Sequence, residues 1–436
     1  MANAGLGLAQ DGAMRVLAAV LVLALIAVAA SADVFRIIDD PREAAQARVD
    51  IIQQATTDIS ALYFIARDDR VTLAALALLC DARRRGVPHV RLIVDANSNR
   101  IPKAVLAHLR AEGVEVRVYH PLTLRHPSWV FRRMHEKIVI ADGARYITGG
   151  RNLADAYFGL AKKKNYVDRD VYIDGPTAAE AARHFENVWT SNQVRELHVR
   201  VSPAAIERAR QTLNAMLRDL ECGGFVALNT GRDWSEGQPQ VESVRFLHDP
   251  VIPGTGPRVA DRLAEVLGGA KTSIVIESPY FVPSTPMRRL LYKKLGEGVS
   301  ITFLTNSLHS GDGVLPYAGY LKYRRRMLRA GMDVREYKGP DALHAKSMVI
   351  DGRIAVVGSY NADPRSQNLN TEVMCVTEDA AVARALTESI ELHMNNAWKI
   401  ERSGWPAGER YPSIPAAVGL RLWGARILLP IFENQL

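Results

Sequence analysis

The chain contains the stretch His135-Glu-Lys137-Ile-Val-Ile-Ala-Asp142-Gly-Ala-Arg-Tyr-Ile-Thr-Gly149-Gly150-Arg-Asn152 and a second copy of its pattern, His344-Ala-Lys346-Ser-Met-Val-Ile-Asp351-Gly-Arg-Ile-Ala-Val-Val-Gly358-Ser359-Tyr-Asn361. His, Lys, Asp, Gly and Asn recur at matched spacings, and the copies begin 209 residues apart. A duplication kept for packing explains Asp and Gly at a turn. It does not explain His, Lys and Asn, which are polar and need partners when buried. The repetition therefore indicates a shared chemical role.

Each copy predicts a β-hairpin. In the first, the β-rich runs Lys137–Ile140 and Tyr146–Thr148 flank the turn dipeptide Asp142-Gly143, and the second copy has the same arrangement around Asp351-Gly352. Residues two apart on a strand face the same side, so His and Lys share a face. The returning strand brings Asn back beside them. Each hairpin thus gathers one His-Lys-Asn cluster, and the Asp of each turn is predicted to be structural.

The repeat extends beyond the hairpins. A strand, a helix and a second strand are predicted ahead of each motif: Asp58–Phe64, Leu73–Arg85 and Val90–Val94, then Ser273–Glu277, Met287–Leu295 and Ser300–Leu304. Alternating strands and helices predict an α/β sheet in each half. We expect two tandem α/β domains at 40–221 and 245–400, joined by a linker at 222–244. A pseudo-twofold axis would relate them, with the active site at their interface.

The two ends of the chain are apolar. Val16–Ala30 is an uninterrupted apolar run followed by Ala30-Ser31-Ala32, so residues 1–32 are predicted to be a signal peptide or a membrane anchor. The protein would then be exported, or anchored in the inner membrane of a bacterium. The C-terminal tail, 401–436, places Leu420, Trp423 and Ile427 on one helical face. Such a face fits either an interfacial helix on an acidic bilayer or a helix docked on the core.

The net charge of +8 favours an anionic partner: lipid phosphate, nucleic acid or an acidic membrane surface. Two histidines are what a two-step displacement at phosphorus needs, one to attack and one to carry a proton. Lysines would neutralise the non-bridging oxygens, and Asn152, Asn361 and Ser359 would donate hydrogen bonds. No acidic cluster has metal-ligand spacing, so the mechanism is expected to need no metal ion and no other cofactor.

Further site residues follow from matched positions. Each histidine needs a partner that fixes its tautomer, and Asp170 and Glu372 begin strand-like runs after the two motifs. We predict that they orient the histidines; the alternative is a charge at a strand end. Tyr63 and Tyr280, at matched strand ends, are predicted to line the substrate pocket, together with Gly150 of the first motif.

These motifs closely resemble those of the phospholipase D superfamily, whose signature is His-x-Lys-x4-Asp, over about residues 45 to 400. The flanks resemble bacterial cardiolipin synthases of the shorter type, in Gly149–Phe158, Ser278–Pro283, Asn361–Ser366 and Leu369–Glu372. The resemblance implies a metal-independent phosphatidyl transfer that makes cardiolipin, with His135 as nucleophile and His344 as acid and base. The duplicated motif alone does not order the two histidines.

The same resemblance implies phospholipid substrates: phosphatidylglycerol, phosphatidylethanolamine or cardiolipin. The alternative within the superfamily is a hydrolase, either a phospholipase D or a phosphodiesterase acting as a nuclease. Nucleic acid is disfavoured because both motifs lie on one chain with apolar ends. A non-catalytic scaffold would lack at least one motif His or Lys, and all four are present. The sequence indicates no particular protein partner.

Overall fold

The computed structural model describes residues 32–123 and 126–432, which form two α/β halves. The strands of the first half are β1 (Asp33–Ile38), β2 (Asp58–Tyr63), β3 (His89–Asp95), β4 (Glu115–Tyr119), β5 (Lys137–Ala141), β6 (Arg145–Gly149), β7 (Tyr166–Val167), β8 (Asp170–Asp174), β9 (Val194–Glu196) and β10 (Gln240–Val241). Its helices are α1 (Pro41–Gln54), α2 (Arg70–Arg84), α3 (Lys103–Ala111), α4 (Ala178–Thr190) and α5 (Pro203–Cys222), with short 3-10 turns at Pro127–Val130 and Asp155–Phe158.

The second half repeats this plan. Its strands are β11 (Val244–His248), β12 (Ser273–Glu277), β13 (Ser300–Asn306), β14 (Asp333–Tyr337), β15 (Ala342–Leu343), β16 (Ser347–Ile350), β17 (Ile354–Gly358), β18 (Val373–Thr377) and β19 (Ala397–Ile400). Its helices are α6 (Val259–Gly268), α7 (Thr285–Gly296), α8 (Val314–Ala330), α9 (Pro364–Asn368), α10 (Ala380–Asn395) and α11 (Ala416–Phe432).

Apart from the additional edge strand β10 of the first sheet, the two sheets share one strand order. The first runs β10-β1-β8-β6-β5-β2-β3-β4-β9 and the second β11-β18-β17-β16-β12-β13-β14-β19. In each, the three strands ahead of the motif are parallel and the hairpin strands lie antiparallel beside them. The predicted α/β class with two tandem repeats is therefore confirmed.

Both predicted hairpins form around their Asp-Gly turns. Asp142 and Asp351 have φ of 55° and 54°, and the glycines that follow them are also left-handed. Each aspartate accepts backbone hydrogen bonds from the residues just ahead of the neighbouring strand, at 2.7 Å from the nitrogen of Thr57 in one half and of Thr272 in the other. The aspartates therefore fasten the hairpins to the sheet, which is a structural position.

The halves share a hydrophobic core and a buried ionic contact. Ile138 and Tyr146 pack in one cluster with Val357 and Cys375 of the other half. The fully buried guanidinium of Arg169 pairs with Asp39 at 2.7 Å, and across the interface with Glu277. A buried cation is tolerated only when paired and hydrogen-bonded, so this cluster favours one arrangement of the halves.

The segment predicted as a linker packs mostly on the first half. Trp234 is buried there and donates from Nε1 to Asp50 at 2.8 Å, and Val241 of β10 pairs with β1. The chain crosses to the second sheet only between β10 and β11. The Gly- and Pro-rich composition of residues 222–244 predicted an irregular segment. The segment nevertheless carries apolar side chains, such as Trp234, that cover α1.

Of the two predicted terminal features, the N-terminal run lies in residues 1–31, outside the described part of the chain. At the other end, α11 packs along α8. Within residues 32–123 and 126–432, no helix has both the length and the apolarity to cross a bilayer.

Candidate active site

The two hairpins meet at a cavity of about 390 Å³ between the halves. Five predicted residues line it: His135, Asn152, Tyr280, His344 and Asn361. The repeats therefore contribute equivalent groups to one site, as the pseudo-twofold arrangement requires.

Each histidine is held by the opposite half through a matched pair of hydrogen bonds. The backbone N–H of His135 donates to the Thr371 carbonyl at 3.0 Å, and its Nδ1 lies 2.9 Å from Glu372 Oε2. The backbone N–H of His344 donates to the Val167 carbonyl at 2.7 Å, and its Nδ1 lies 2.6 Å from Asp168 Oδ2. In both cases the carbonyl belongs to the residue just before the carboxylate, so neither half-site is complete without the other repeat.

The partner of His344 is Asp168, so the prediction of Asp170 is wrong. The Asp170 carboxylate lies instead 2.8 Å from Arg48 and 3.3 Å from Arg151. Strand register explains the error. Gly358 of β17 lies opposite Met374 of β18, two residues past Glu372. The equivalent Gly149 of β6 lies opposite Asp170 of β8, so Asp170 is the equivalent of Met374 and not of Glu372. The equivalent of Glu372 is therefore two residues before Asp170, at Asp168. The sequence favoured Asp170 because the apolar, strand-like run begins there.

The two carboxylates have different proton affinities. Burial raises the pKa of Asp168, but His344 and Lys346 outweigh burial and lower it to about 2. Burial raises the pKa of Glu372 to about 7, although Lys137 and Ser359 act against it. Burial and Lys137 hold the pKa of His135 well below its usual value, and burial also lowers that of His344, where Asp168 opposes the shift. Asp168 is therefore an anion at neutral pH, while Glu372 titrates there.

The motif lysines lie beneath the histidines. Each is fully buried and donates from Nζ to the carbonyl of the histidine two residues earlier, and Lys346 Nζ is also 3.1 Å from His344 Nε2. Burial lowers the pKa of Lys137 to about 7 and that of Lys346 to about 8. The nearby carboxylates do not offset the effect of burial on either lysine. An anionic ligand in the cavity would therefore stabilise the charged forms of both lysines.

The asparagines face the cavity from the returning strands. Asn152 accepts a hydrogen bond from the Ile65 backbone N–H at 3.1 Å, which leaves its amide NH₂ to donate. The side-chain oxygen of Asn361 is buried and has no hydrogen-bond partner among the described residues. Such an orphaned group is expected where a ligand supplies the missing partner.

Of the two tyrosines predicted to line the pocket, only Tyr280 does so. Tyr280 lines the cavity and donates to Asp312 at its rim at 2.6 Å. Tyr63 does not serve as predicted: it lies in the core and accepts from Arg48 at 3.1 Å. Its neighbour Phe64 lines the cavity instead, because successive residues of an extended strand face opposite sides.

Gly150 and Ser359 occupy equivalent positions behind the two carboxylates. Ser359 donates to Glu372 at 2.5 Å, whereas any Cβ at Gly150 would overlap the Asp168 carboxylate. Both residues therefore position a carboxylate, whereas the sequence had assigned them to the substrate.

Sequence reasoning missed several lining residues. Tyr157 and Tyr166 pack against the His344 ring, each with ring centroids 5.1 Å from it, and Arg67 and Arg365 add cations to the cavity. Tyr157 and Arg365 lie in the flanks that carry the family resemblance, but no role was predicted for them. Arg67 and Tyr166 lie outside those stretches, so only the fold places them at the site. In the described part of the chain, no three His, Cys, Asp or Glu side chains are grouped as metal ligands would be.

Comparison with known proteins gives concordant results. A family model described as "Cardiolipin synthase, PLD-like domain" matches residues 49–189 and 263–394, one match around each motif. Cardiolipin synthase C of Escherichia coli strain K12 is 30% identical over 411 residues, which cover 83% of this chain and 85% of that protein. Cardiolipin synthase A of Pseudomonas fluorescens is 28% identical over 76% of this chain and 62% of its own length.

Among solved structures, phosphatidylserine synthase of Haemophilus influenzae superposes with a TM-score of 0.67 at 16% identity, covering 93% of this chain and 97% of that one. At this identity the likeness concerns the fold alone.

Proposed function

Since the chain belongs to the family described as the PLD-like domain of cardiolipin synthase, we propose that it makes cardiolipin by a two-step phosphatidyl transfer through His135. Family membership makes it a phospholipase D-type phosphatidyltransferase that acts on phospholipids. The product, the covalent intermediate and the roles of the two histidines are the proposal. One observation carries it: two histidines face one cavity, each held through Nδ1 by a carboxylate of the other repeat.

In the first step, His135 attacks the phosphorus of a phospholipid. With Nδ1 held by Glu372, its Nε2 carries the free electron pair toward the cavity. The new N–P bond forms as the P–O bond to the head-group alcohol breaks, and His344 donates its proton to the departing oxygen. Lys137 and Lys346 stabilise the charge on the non-bridging oxygens.

In the second step, a lipid alcohol such as the glycerol head group of phosphatidylglycerol enters. Its hydroxyl gives a proton to His344 and its oxygen attacks phosphorus, so that the N–P bond breaks and His135 is regenerated. The ionised Asp168 beside His344 opposes the lowering of its pKa by burial, and so favours its imidazolium form, which the first step needs, relative to that of His135. This asymmetry supports His135 as the nucleophile and His344 as the acid and base.

A product assay tests the proposal. Purified protein is incubated with vesicles of phosphatidylglycerol and phosphatidylethanolamine in the presence of EDTA, beside His135→Ala and His344→Ala. We expect cardiolipin from the intact protein alone. Phosphatidic acid without cardiolipin would instead establish a hydrolytic phospholipase D. Cleavage of DNA or RNA with no lipid turnover would overturn the proposal in favour of a nuclease. Leu392→Ser, at an exposed position on α10, serves as the control for a mutated but assembled protein.

A further inference from the structure

Helix α11 is apolar on two opposite faces, and only one of them is covered. Successive residues of an α-helix are rotated by about 100°. Val418, Leu422, Ala425 and Leu429 therefore share a face, and all four are half-buried or buried. The opposite face carries Leu420, Trp423 and Ile427, which are 68%, 64% and 56% exposed. Packing against α8 explains the first face and leaves the second without a partner in the described structure.

The first half contains a matched helix that shows what such a position ordinarily looks like. Helix α5 follows β9, the edge strand next to β4, just as α11 follows β19, the edge strand next to β14. Helix α5 packs on α2 and α3. Its exposed side is ionic, with Glu207 and Arg210 paired at 2.6 Å. A solvent-facing helix in this fold is therefore polar on its outer side. The apolar outer face of α11 departs from that pattern.

We propose that this outer face of α11 docks the protein on an anionic phospholipid bilayer, with the helix lying in the plane of the head groups. The charges fit such a surface: Arg421 and Arg426 are exposed and lie on the two flanks of the apolar face, and residues 416–432 include no Asp or Glu. Tryptophan and arginine are suited to the boundary between head groups and acyl chains, because each joins an apolar body to a polar end.

A second copy of the chain is the less suitable occupant. A twofold contact through this face would bring four arginines together around three apolar side chains per copy. That patch is far smaller than the roughly 800 Å² per partner of a stable interface. A bilayer supplies negative charge for the arginines and has no minimum contact area.

The position of α11 gives the docking a consequence for catalysis. Pro316, in the first turn of α8, lines the catalytic cavity, so α11 lies along a helix that begins at the cavity rim. Docking would place α11 between α8 and the head groups, so the helix whose first turn lines the cavity would lie one helix layer from the membrane. This consequence rests on the proposed function, whereas the docking itself does not.

Trp423 reports directly on the proposed contact. Of the tryptophans in the described residues, Trp405 and Trp423 are exposed, each by 64%. In the full-length Trp405→Phe protein, vesicles containing phosphatidylglycerol should shift tryptophan emission to shorter wavelengths, and brominated acyl chains should quench it. Both effects should weaken in high salt and with vesicles of phosphatidylcholine alone. A local probe is needed because the apolar N-terminal segment could by itself attach the protein to vesicles.

The matched variants are Leu420→Ser with Ile427→Ser, and Leu392→Ser, which alters a 71% exposed leucine on α10. In the Trp405→Phe background, the double variant should need about tenfold more lipid, or more, for half of the Trp423 response, and the Leu392 variant should match its parent. Unfolding temperature and turnover of a short-chain monomeric phospholipid should stay unchanged in both. Turnover lost in every protein would count against the proposed function and leave the docking result intact.

Two results would overturn the proposal. One is Trp423 emission that does not change while the protein floats with the vesicles. The other is a shift that grows with protein concentration in the absence of lipid, which would assign the face to self-association.

Discussion

The half-site of His135 uses a glutamate and that of His344 an aspartate, one methylene shorter. Behind the shorter side chain is Gly150, where any Cβ would overlap the carboxylate; behind the longer one is Ser359, which donates to it. The backbone contacts of the two histidines are otherwise equivalent. The pKa of Asp168 is about 2 and that of Glu372 about 7. The duplication has thus kept the geometry of the two half-sites while their charges have diverged.

The largest predicted effect separates the roles of the two histidines. Either alanine variant should lose about a thousandfold or more of transfer to natural phospholipids, because nucleophile and acid are both required. A phosphodiester with a para-nitrophenol leaving group needs little protonation. His344→Ala should therefore release up to one nitrophenol per site in a burst, and His135→Ala should release none. Rapid-mixing absorbance measures the burst. The reverse pattern would exchange the assigned roles.

A second comparison concerns Asp168 and Asp170, which the sequence did not distinguish. Asp168→Asn should lower kcat by roughly 10²- to 10³-fold, because it removes the charge that holds His344. Asp170→Asn should mainly lower the free energy of unfolding, by about 3 kcal/mol or more, since Arg48 and Arg151 lose their buried partner. Steady-state kinetics and urea unfolding measure the two effects. Equal effects on both quantities would contradict this division.

Exchanging the supporting residues tests the geometry of each half-site. Gly150→Ser should reduce kcat about a hundredfold, because the new side chain displaces Asp168. Ser359→Gly removes the hydrogen bond donated to Glu372 and the one accepted from the Val373 backbone N–H. The loss of the bond to Glu372 should cost about 1.5 kcal/mol of transition-state stabilisation, roughly tenfold in kcat/KM. A milder effect at Gly150 than at Ser359 would refute the steric argument.

The last comparison concerns a pH dependence of stability. The pKa of Glu372 is raised from 4.5 to about 7 in the folded protein, so the folded state binds the extra proton between these values. Its stabilising contribution is complete below pH 4.5 and is lost as the pH rises through 7. Relative to Glu372→Gln, the wild-type free energy of unfolding should fall by on the order of 3 kcal/mol over that window. Urea unfolding of both proteins at several pH values measures this difference. A wild-type free energy of unfolding that rises with pH relative to that of Glu372→Gln would contradict the prediction.

The sequence predicted the parts of this molecule that local chemistry determines. The β-rich runs and the Asp-Gly turns predicted the hairpins, and their repetition predicted two α/β halves that meet at one site. The family resemblance is also confirmed. The predictions that were wrong depended on strand register and on the side of a strand to which a single residue points. Asp168 was missed because the register of β6 with β8, and of β17 with β18, is set by each whole sheet. Tyr63 was misplaced because a shift of one position along a strand reverses the side to which a residue points.

Other features depend on long-range packing and have no local signal. Trp234 secures residues of the predicted linker against α1. The two faces of α11 could be separated into covered and exposed only once α8 was in place. Roles of the site residues in catalysis stay predictions, and the variants above test them.

Direct detection of the intermediate tests the central claim, that one half-site carries the phosphatidyl group while the other handles the proton. Protein turning over a phospholipid labelled in its phosphate is quenched in base, where phosphohistidine survives, digested and examined by mass spectrometry. We expect a phosphatidyl adduct on the peptide containing His135, absent in His135→Ala. An adduct on His344, or continued turnover with no adduct on either histidine, would contradict it.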